Sequence, residues 1–349
     1  MNAPSCFAIT LLAASLAIPA SGLAASKTIK VNGYLDFRKP GILVVDGQRV
    51  KKGSKTQFRG SGAAKNFDSI PVGFEVKAEG TRQTDGTILA TKIDAKPNGM
   101  AMYEGDVLAA TNQAEQQYVK AGKIADVDAQ GKEHDLGALH TTGPEVDRCR
   151  RIVDRLLPSY IDPKTVRVYV VDNKEWNAMA MANYSIYVFS GIMKDLDDDE
   201  LAIVLGHELT HATHEHSRRQ ASKSMYTGIA GAAAGVGLSQ VKGGGLVKDA
   251  ASTAAGLGLS AFSNNYSRDY EDQADRVGLR YVYEAGYDYK KAPGLWRKFA
   301  EKYGDGSPIE NFFFGDHSLS TKRAAALEKE IKNNYSDPSK DPPTRIAAK

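Results

Sequence analysis

Cysteine is nearly absent from this chain of 349 residues, which carries only Cys6 and Cys149. Cys6 lies in an N-terminal stretch that reads as a removable leader, and one remaining thiol cannot form an internal disulfide. The fold must therefore rest on its packed cores and on whatever it ligates. Long apolar runs are missing too. Two Gly/Ala-rich segments, 225–238 and 249–262, are each about 14 residues, whereas a membrane-crossing helix needs roughly 20. They read as close-packed helices of a soluble domain, with membrane-surface contact as the alternative. No helical repeat array is present. Lys and Arg are absent from residues 7–23, an apolar stretch of small residues that ends in Gly22-Leu23-Ala24. That pattern predicts a secretory signal at 1–24 and a periplasmic or secreted location, an uncleaved N-terminal membrane anchor being the alternative because the only positive charge before it is the α-amino group.

Charge and composition divide the remainder. Residues 27–100 hold 14 Lys or Arg against 7 Asp or Glu, so the rest of the chain is net acidic within an overall +3. This leaves open an anionic partner for the basic segment, beside the plainer meaning of a solvated basic face; no nucleic acid is expected in an exported protein. β-Branched runs at 29–37, 42–50, 74–79 and 88–93, punctuated by Asp46-Gly47 and Asp85-Gly86, predict a small antiparallel β-barrel or sandwich over 27–100. Residues 101–143 read as a connecting segment with further strands at 103–109 and 117–124. A second, helical domain is expected over 144–335, opening with Val146, Cys149, Ile152, Val153 and Leu156 at helical spacing and followed by a strand at 166–171. The polar tail 336–349 reads as disordered.

The chemistry is concentrated in His207-Glu208-Leu209-Thr210-His211. Residues four apart stack on one helix face, so both imidazoles can reach a single ion while Glu208 stands beside its open position. Asp197, Asp198, Asp199 and Glu200 supply a helix N-terminus. A catalytic zinc usually takes three protein ligands and a water. The pattern that would place glycine at 214 and histidine at 217 is not met, since His214 and Ser217 stand there. His214 lies two helical turns beyond His207, too far to share its ion, and reads as a surface residue or a neighbour of a ligand. The better third ligand is Glu271, whose face at helical spacing also carries Ala274, Asp275 and Gly278. Two small residues would let this helix approach another backbone closely, and Asp275 could accept the outer N–H of a ligand histidine. Taken alone, the segment reads equally as a solvated acidic face.

These residues resemble the M48 zinc metallopeptidases, whose soluble members include bacterial periplasmic proteases. The match runs in separated blocks from Asn177 to Arg323. Asn177-Ala178-Met179-Ala180 with residues 186–193 looks like the family's strand pair, its first strand an edge that receives extended substrate; by itself 177–180 reads equally as a buried strand. Residues 199–202 with Gly206 to His211 and His216 look like the active-site helix, and Ser267-Arg268, Glu271, Ala274 and Asp275 match the third-ligand helix. His317 and Arg323 resemble a late His-Pro motif with its arginine, although Ser318 replaces the proline. Residues 72–90 resemble small OB-like bacterial modules.

The resemblance implies an α+β chain: a mainly helical zincin-type metallopeptidase domain with a small sheet, preceded by an OB-like barrel. It implies one Zn2+ per chain held by His207, His211 and Glu271, with Glu208 as proton acceptor for the attacking water. His317 would donate to the oxyanion or act as a reversible fourth zinc ligand, and Arg323 would brace its loop or contact substrate. Binding at Asn177, Ala178, Met179 and Ala180 through backbone groups would favour unfolded or misassembled proteins. The expected function is a zinc endopeptidase; the alternative is a chaperone-like client-binding protein with a latent or structural zinc site.

Overall fold

A computed structural model describes residues 28–97, 102–127, 133–220, 266–304 and 320–336. The leader 1–24, the Gly/Ala-rich stretch, His317 and the tail beyond its first residue lie outside the described residues.

Five strands, β1 (Thr28–Lys39), β2 (Ile42–Val45), β3 (Gln48–Gly60), β4 (Glu75–Arg82) and β5 (Ile88–Lys96), close into a barrel in the order β1-β2-β3-β5-β4. Only β3 and β5 run parallel; the other pairs are antiparallel. This is the strand order of an OB-like barrel, in which closure leaves no strand edge unpaired. Alternation drives it: Val76 and Ala78 of β4 point inward with Ala90 and Ile93 of β5, packing on Leu35, Leu43, Val50 and Phe74. The run 42–50 is a hairpin that turns at Asp46-Gly47, where the sequence placed a turn. Asp46 (φ 40°) and Gly47 (φ 74°) both occupy the left-handed region that a tight two-residue turn requires.

The segment 101–143 differs most from expectation. Helix α1 (Met102–Ala121) occupies 103–109 and 117–121, where strands were predicted. Thr111, Ala114, Glu115 and Tyr118 are buried among its described side chains, a spacing of helical period that lays one face on a sheet. Strands β6 (Lys123–Val127) and β7 (Glu133–His140) follow, and β7 pairs with β8 (Arg167–Val171), so the segment extends the second sheet instead of merely linking two halves. That sheet runs β6-β7-β8-β10-β9, with β9 at Ala178–Ala180 and β10 at Ser185–Phe189. Position 190 opens helix α3 (Ser190–Asp195), so the apolar run 186–193 is divided between strand and helix.

Helix α2 (Pro144–Leu156) buries Val146, Cys149, Ile152, Val153 and Leu156, the face its spacing predicted. Helix α4 (Asp198–Thr213) begins with a reciprocal cap in which Asp197 accepts from the Glu200 N–H and Glu200 from the Asp197 N–H. Helices α5 (Arg268–Glu284), α6 (Ala292–Tyr303) and α7 (Ser320–Asn334) complete the described set. Helices α4 and α5 cross at Gly206 and Gly278, where a Cβ on Gly278 would stand 2.8 Å from the Gly206 carbonyl carbon and the His207 nitrogen. Side chains there would hold the helices apart. The barrel seats against the α5 side through Phe37 of β1, whose ring packs in the helical core under the Arg280 guanidinium, 4.9 Å away. No helix among the described residues is long and apolar enough to cross a membrane.

Candidate metal centre and active site

The glycine crossing brings one carboxylate of α5 over two imidazoles of α4. His207 Nε2 and His211 Nε2 lie 3.0 Å apart, and the Glu271 oxygens stand 3.4 Å from each. All three residues are buried, and their ligand atoms fall within 4.8 Å of one another. A tetrahedral zinc with bonds of about 2.0–2.1 Å to nitrogen and oxygen would space neighbouring ligand atoms by roughly 3.3 Å. The donor set therefore fits the ion in chemical type and in spacing.

The surroundings hold each imidazole by its other nitrogen. His207 Nδ1 meets Asp275 Oδ1 at 3.0 Å, and Asp275 in turn accepts from Arg323 Nε at 2.9 Å and Nη2 at 2.6 Å. The Arg323 guanidinium lies over the Trp296 ring at 3.6 Å. Burial and Arg323 act to lower the His207 pKa, but hydrogen bonds to Asp275 and Glu271 outweigh them and raise it to about 9. Arg323 is only 1% exposed and lies behind the histidine, on Asp275.

His211 turns its Nδ1 to His216 Nδ1 at 2.9 Å, and the Tyr266 ring stacks on it with centroids 4.0 Å apart. His216 Nε2 meets Gln273 Oε1 at 2.8 Å. Burial, with His214 and Arg219 nearby, holds the His216 pKa well below the usual histidine value, so the ring is neutral. His214, for which a surface position was one expectation, is fully buried where α4 ends, its Nδ1 3.2 Å from Thr213 Oγ1 and its ring beside Tyr34 of the barrel. His317 lies outside the described residues.

Glu208 is buried beside the Ala180 backbone; burial pushes its carboxyl up to about 8, against the opposing pull of His207. Ala180 belongs to β9, the terminal strand of its sheet. Met181 N–H and Asn177 C=O bond to β10, so by alternation the Ala178 and Ala180 backbone groups face the outer edge, which has no partner strand among the described residues. Met179 is partly buried, and the buried Asn177 amide has no hydrogen-bond partner among the described residues. The structure thus gathers His207, Glu208, His211, Glu271, Asp275, Arg323 and the 177–180 edge around one locus.

Several contributors gave little sign of themselves in the sequence. His216 entered through the resemblance, without a role. Gln273 stands two residues from Glu271 on the same helix, which was the available clue, and Tyr266 directly precedes the Ser267 cap of α5. Asp36 and Asp46 of the barrel, which bond Gln273 from 237 and 227 residues away, carry no local signal at all.

Comparison with known proteins agrees with this geometry. Residues 21–94 match a domain of unknown function designated DUF5666. The chain is 28% identical over 228 residues to metalloprotease YcaL of Escherichia coli, covering 61% of this chain and 83% of that protein. It is 29% identical over 170 residues to metalloprotease LoiP of Escherichia coli, covering 48% and 63%. To the mitochondrial metalloendopeptidase OMA1 of Bos taurus it is 28% identical over 173 residues, 47% of this chain and 32% of that protein. Residues 144–331, more than half of the chain, match the profile of Peptidase family M48, and with the two histidines and the glutamate converging inside that span the chain belongs to this family.

Proposed function

We propose that the chain is a zinc-dependent endopeptidase that hydrolyses peptide bonds of unfolded or misassembled proteins outside the cytoplasm. The observation that carries this reading is the position of Glu208, whose carboxyl interacts with His207 and Glu271 on one side and with the outer edge of β9, through Ala180, on the other. A base that borders both the ligand set and a strand edge without a partner among the described residues is placed where a substrate carbonyl would be attacked.

One zinc held by His207, His211 and Glu271 would supply a Lewis acid that polarises a water and a peptide carbonyl. Glu208 then takes a proton from the attacking water at its carboxylate and returns it to the leaving amine. Asp275 and Arg323 keep the His207 ring turned toward the ligand set. Backbone groups of Ala178 and Ala180 add an extended substrate strand, with Asn177 and Met179 beside it, and recognition through main-chain bonds selects extended chain over sequence. His317 is assigned to support the oxyanion. The barrel is assigned to 27–100 and the peptidase unit to 144–335, with its sheet extended by 101–143. An exported location rests on the leader-like residues 1–24.

Cleavage of an unfolded protein by zinc-loaded residues 25–349, run beside Glu208→Gln at equal zinc content, tests the reading. Loss of about 10²–10⁴-fold in rate with zinc retained is expected for removal of a general base. A native protein that binds zinc and cleaves nothing, even as His317→Ala, would sink the endopeptidase assignment.

A further inference from the structure

The barrel reaches the metal centre through an unbroken line of hydrogen bonds. His211 Nδ1 meets His216 Nδ1 at 2.9 Å, His216 Nε2 meets Gln273 Oε1 at 2.8 Å, and Gln273 Nε2 donates to Asp36 Oδ1 at 2.5 Å and Asp46 Oδ1 at 2.8 Å. Asp36 lies on β1 and Asp46 in the β2–β3 turn, so both carboxylates belong to the barrel. Every member before Asp46 is buried.

The direction of these bonds is fixed from the far end. A carboxylate only accepts, so the Gln273 amide must turn its NH2 toward Asp36 and Asp46 and its oxygen toward His216. The His216 Nε2 must then carry the hydrogen, which leaves its Nδ1 as a lone pair facing His211. His211 must in turn carry its hydrogen on Nδ1, and its Nε2 lone pair is left pointing at His207 and Glu271. That is the tautomer a metal ligand needs.

A second barrel contact supports the same histidine. Glu215 adopts a left-handed backbone conformation (φ 56°) in the turn just past the end of α4, and His216 after it meets His211. Such a conformation persists in a non-glycine residue when the surroundings hold it. Tyr34 of β1 does so, its hydroxyl donating to Glu215 Oε2 at 2.8 Å.

We propose that the N-terminal barrel is a positioning element of the metal centre: Asp36 and Asp46, acting through Gln273 and His216, orient His211 and set its tautomer, while Tyr34 fixes the turn that presents His216. The proposal rests on the reading that His207, His211 and Glu271 hold zinc. The barrel thereby becomes a condition of tight metal binding, which a module attached only for substrate capture would not be.

The test measures zinc affinity of the full-length protein by competition with a chelator, together with the visible spectrum of the Co2+-loaded form and the melting temperature of the metal-free form. Gln273→Leu should weaken zinc binding by about 10–100-fold, the usual effect of losing a partner behind a ligand histidine, and should shift the Co2+ bands. Asp36→Asn, which keeps the shape of the side chain, should move affinity in the same direction and is the variant to read if Gln273→Leu does not fold. Phe37→Leu loosens the same barrel seat without touching the relay, so it should lower the melting temperature and leave zinc affinity and the Co2+ spectrum as they are. Native-like affinity in Gln273→Leu, or an equal loss in Phe37→Leu, would overturn the proposal. His211→Ala separates this from the parent reading: if it binds zinc as tightly as the native chain, the ligand assignment itself has failed.

Discussion

The interior of the barrel and the crossing of α4 with α5 are both closed to water, yet they are filled in opposite ways. The barrel encloses Leu35, Leu43, Val45, Val50, Phe67, Ile70, Phe74 and Ile93, a wholly apolar cluster. The helix crossing encloses Glu208, Glu271, Asp275, Arg323 and four histidines, each at most 8% exposed. Apolar burial stabilises without regard to direction, so the barrel interior tolerates small changes. Buried charges are stable only while each keeps its partner, so the crossing is sensitive to single atoms. The difference teaches where stability and function part: one interior holds a shape, and the other holds a charge pattern that favours a cation.

Four experiments sharpen or break that contrast. Arg323→Ala has the largest expected effect, since it strands the Asp275 carboxylate behind His207 and removes the cation stacked on Trp296; removal of one partner of a buried pair costs about 3–5 kcal/mol, to be read by denaturant unfolding. Withdrawal of zinc comes next. At free zinc about 100 times its dissociation constant, binding adds about 2.7 kcal/mol, and hydrogen exchange should show that loss in α4 and α5 while amides of β4 and β5 keep their protection. An equal loss in both regions would erase the distinction drawn here.

Gly278→Ala places a methyl group against the backbone of Gly206 and His207, where the obstacle cannot rotate away. Overpacking of this kind costs about 1–3 kcal/mol, and it should also weaken zinc binding because the helices that carry the ligands are forced apart. The smallest effect is expected for Ile93→Val in the barrel, about 0.5–1.5 kcal/mol with no change in zinc affinity. A change of zinc affinity in Ile93→Val would mean that the barrel interior, and not its carboxylate face alone, tunes the metal centre.

Much of the site was legible because its signals are local. His207, Glu208 and His211 sit within one helical turn and a half, and Glu271, Ala274, Asp275 and Gly278 share one face, so spacing alone grouped them. The Asp46-Gly47 turn was legible for the same reason, since only a few residue pairs accept two successive left-handed conformations. Further strands do lie within 101–143, but those read at 103–109 and 117–124 were misplaced because apolar positions there are sparse, although Ala114 and Tyr118 fit a helix. A period cannot be chosen over so few residues without the sheet against which they pack.

What the sequence by itself determined is therefore the chemistry: which side chains could ligate, which could move a proton, and where the helix bearing His207 to His211 and the Asp46-Gly47 turn would lie. Tertiary structure alone decided that the Ala178 and Ala180 backbone faces the outer edge beside Glu208, that Arg323 is buried behind His207, and that Asp36 and Asp46 of a separate barrel stand at the end of the His211 relay. The reason is physical. Periodicity records how a residue sits on its own helix or strand, whereas a hydrogen bond between residues 237 apart exists only once two closed cores have been pressed together.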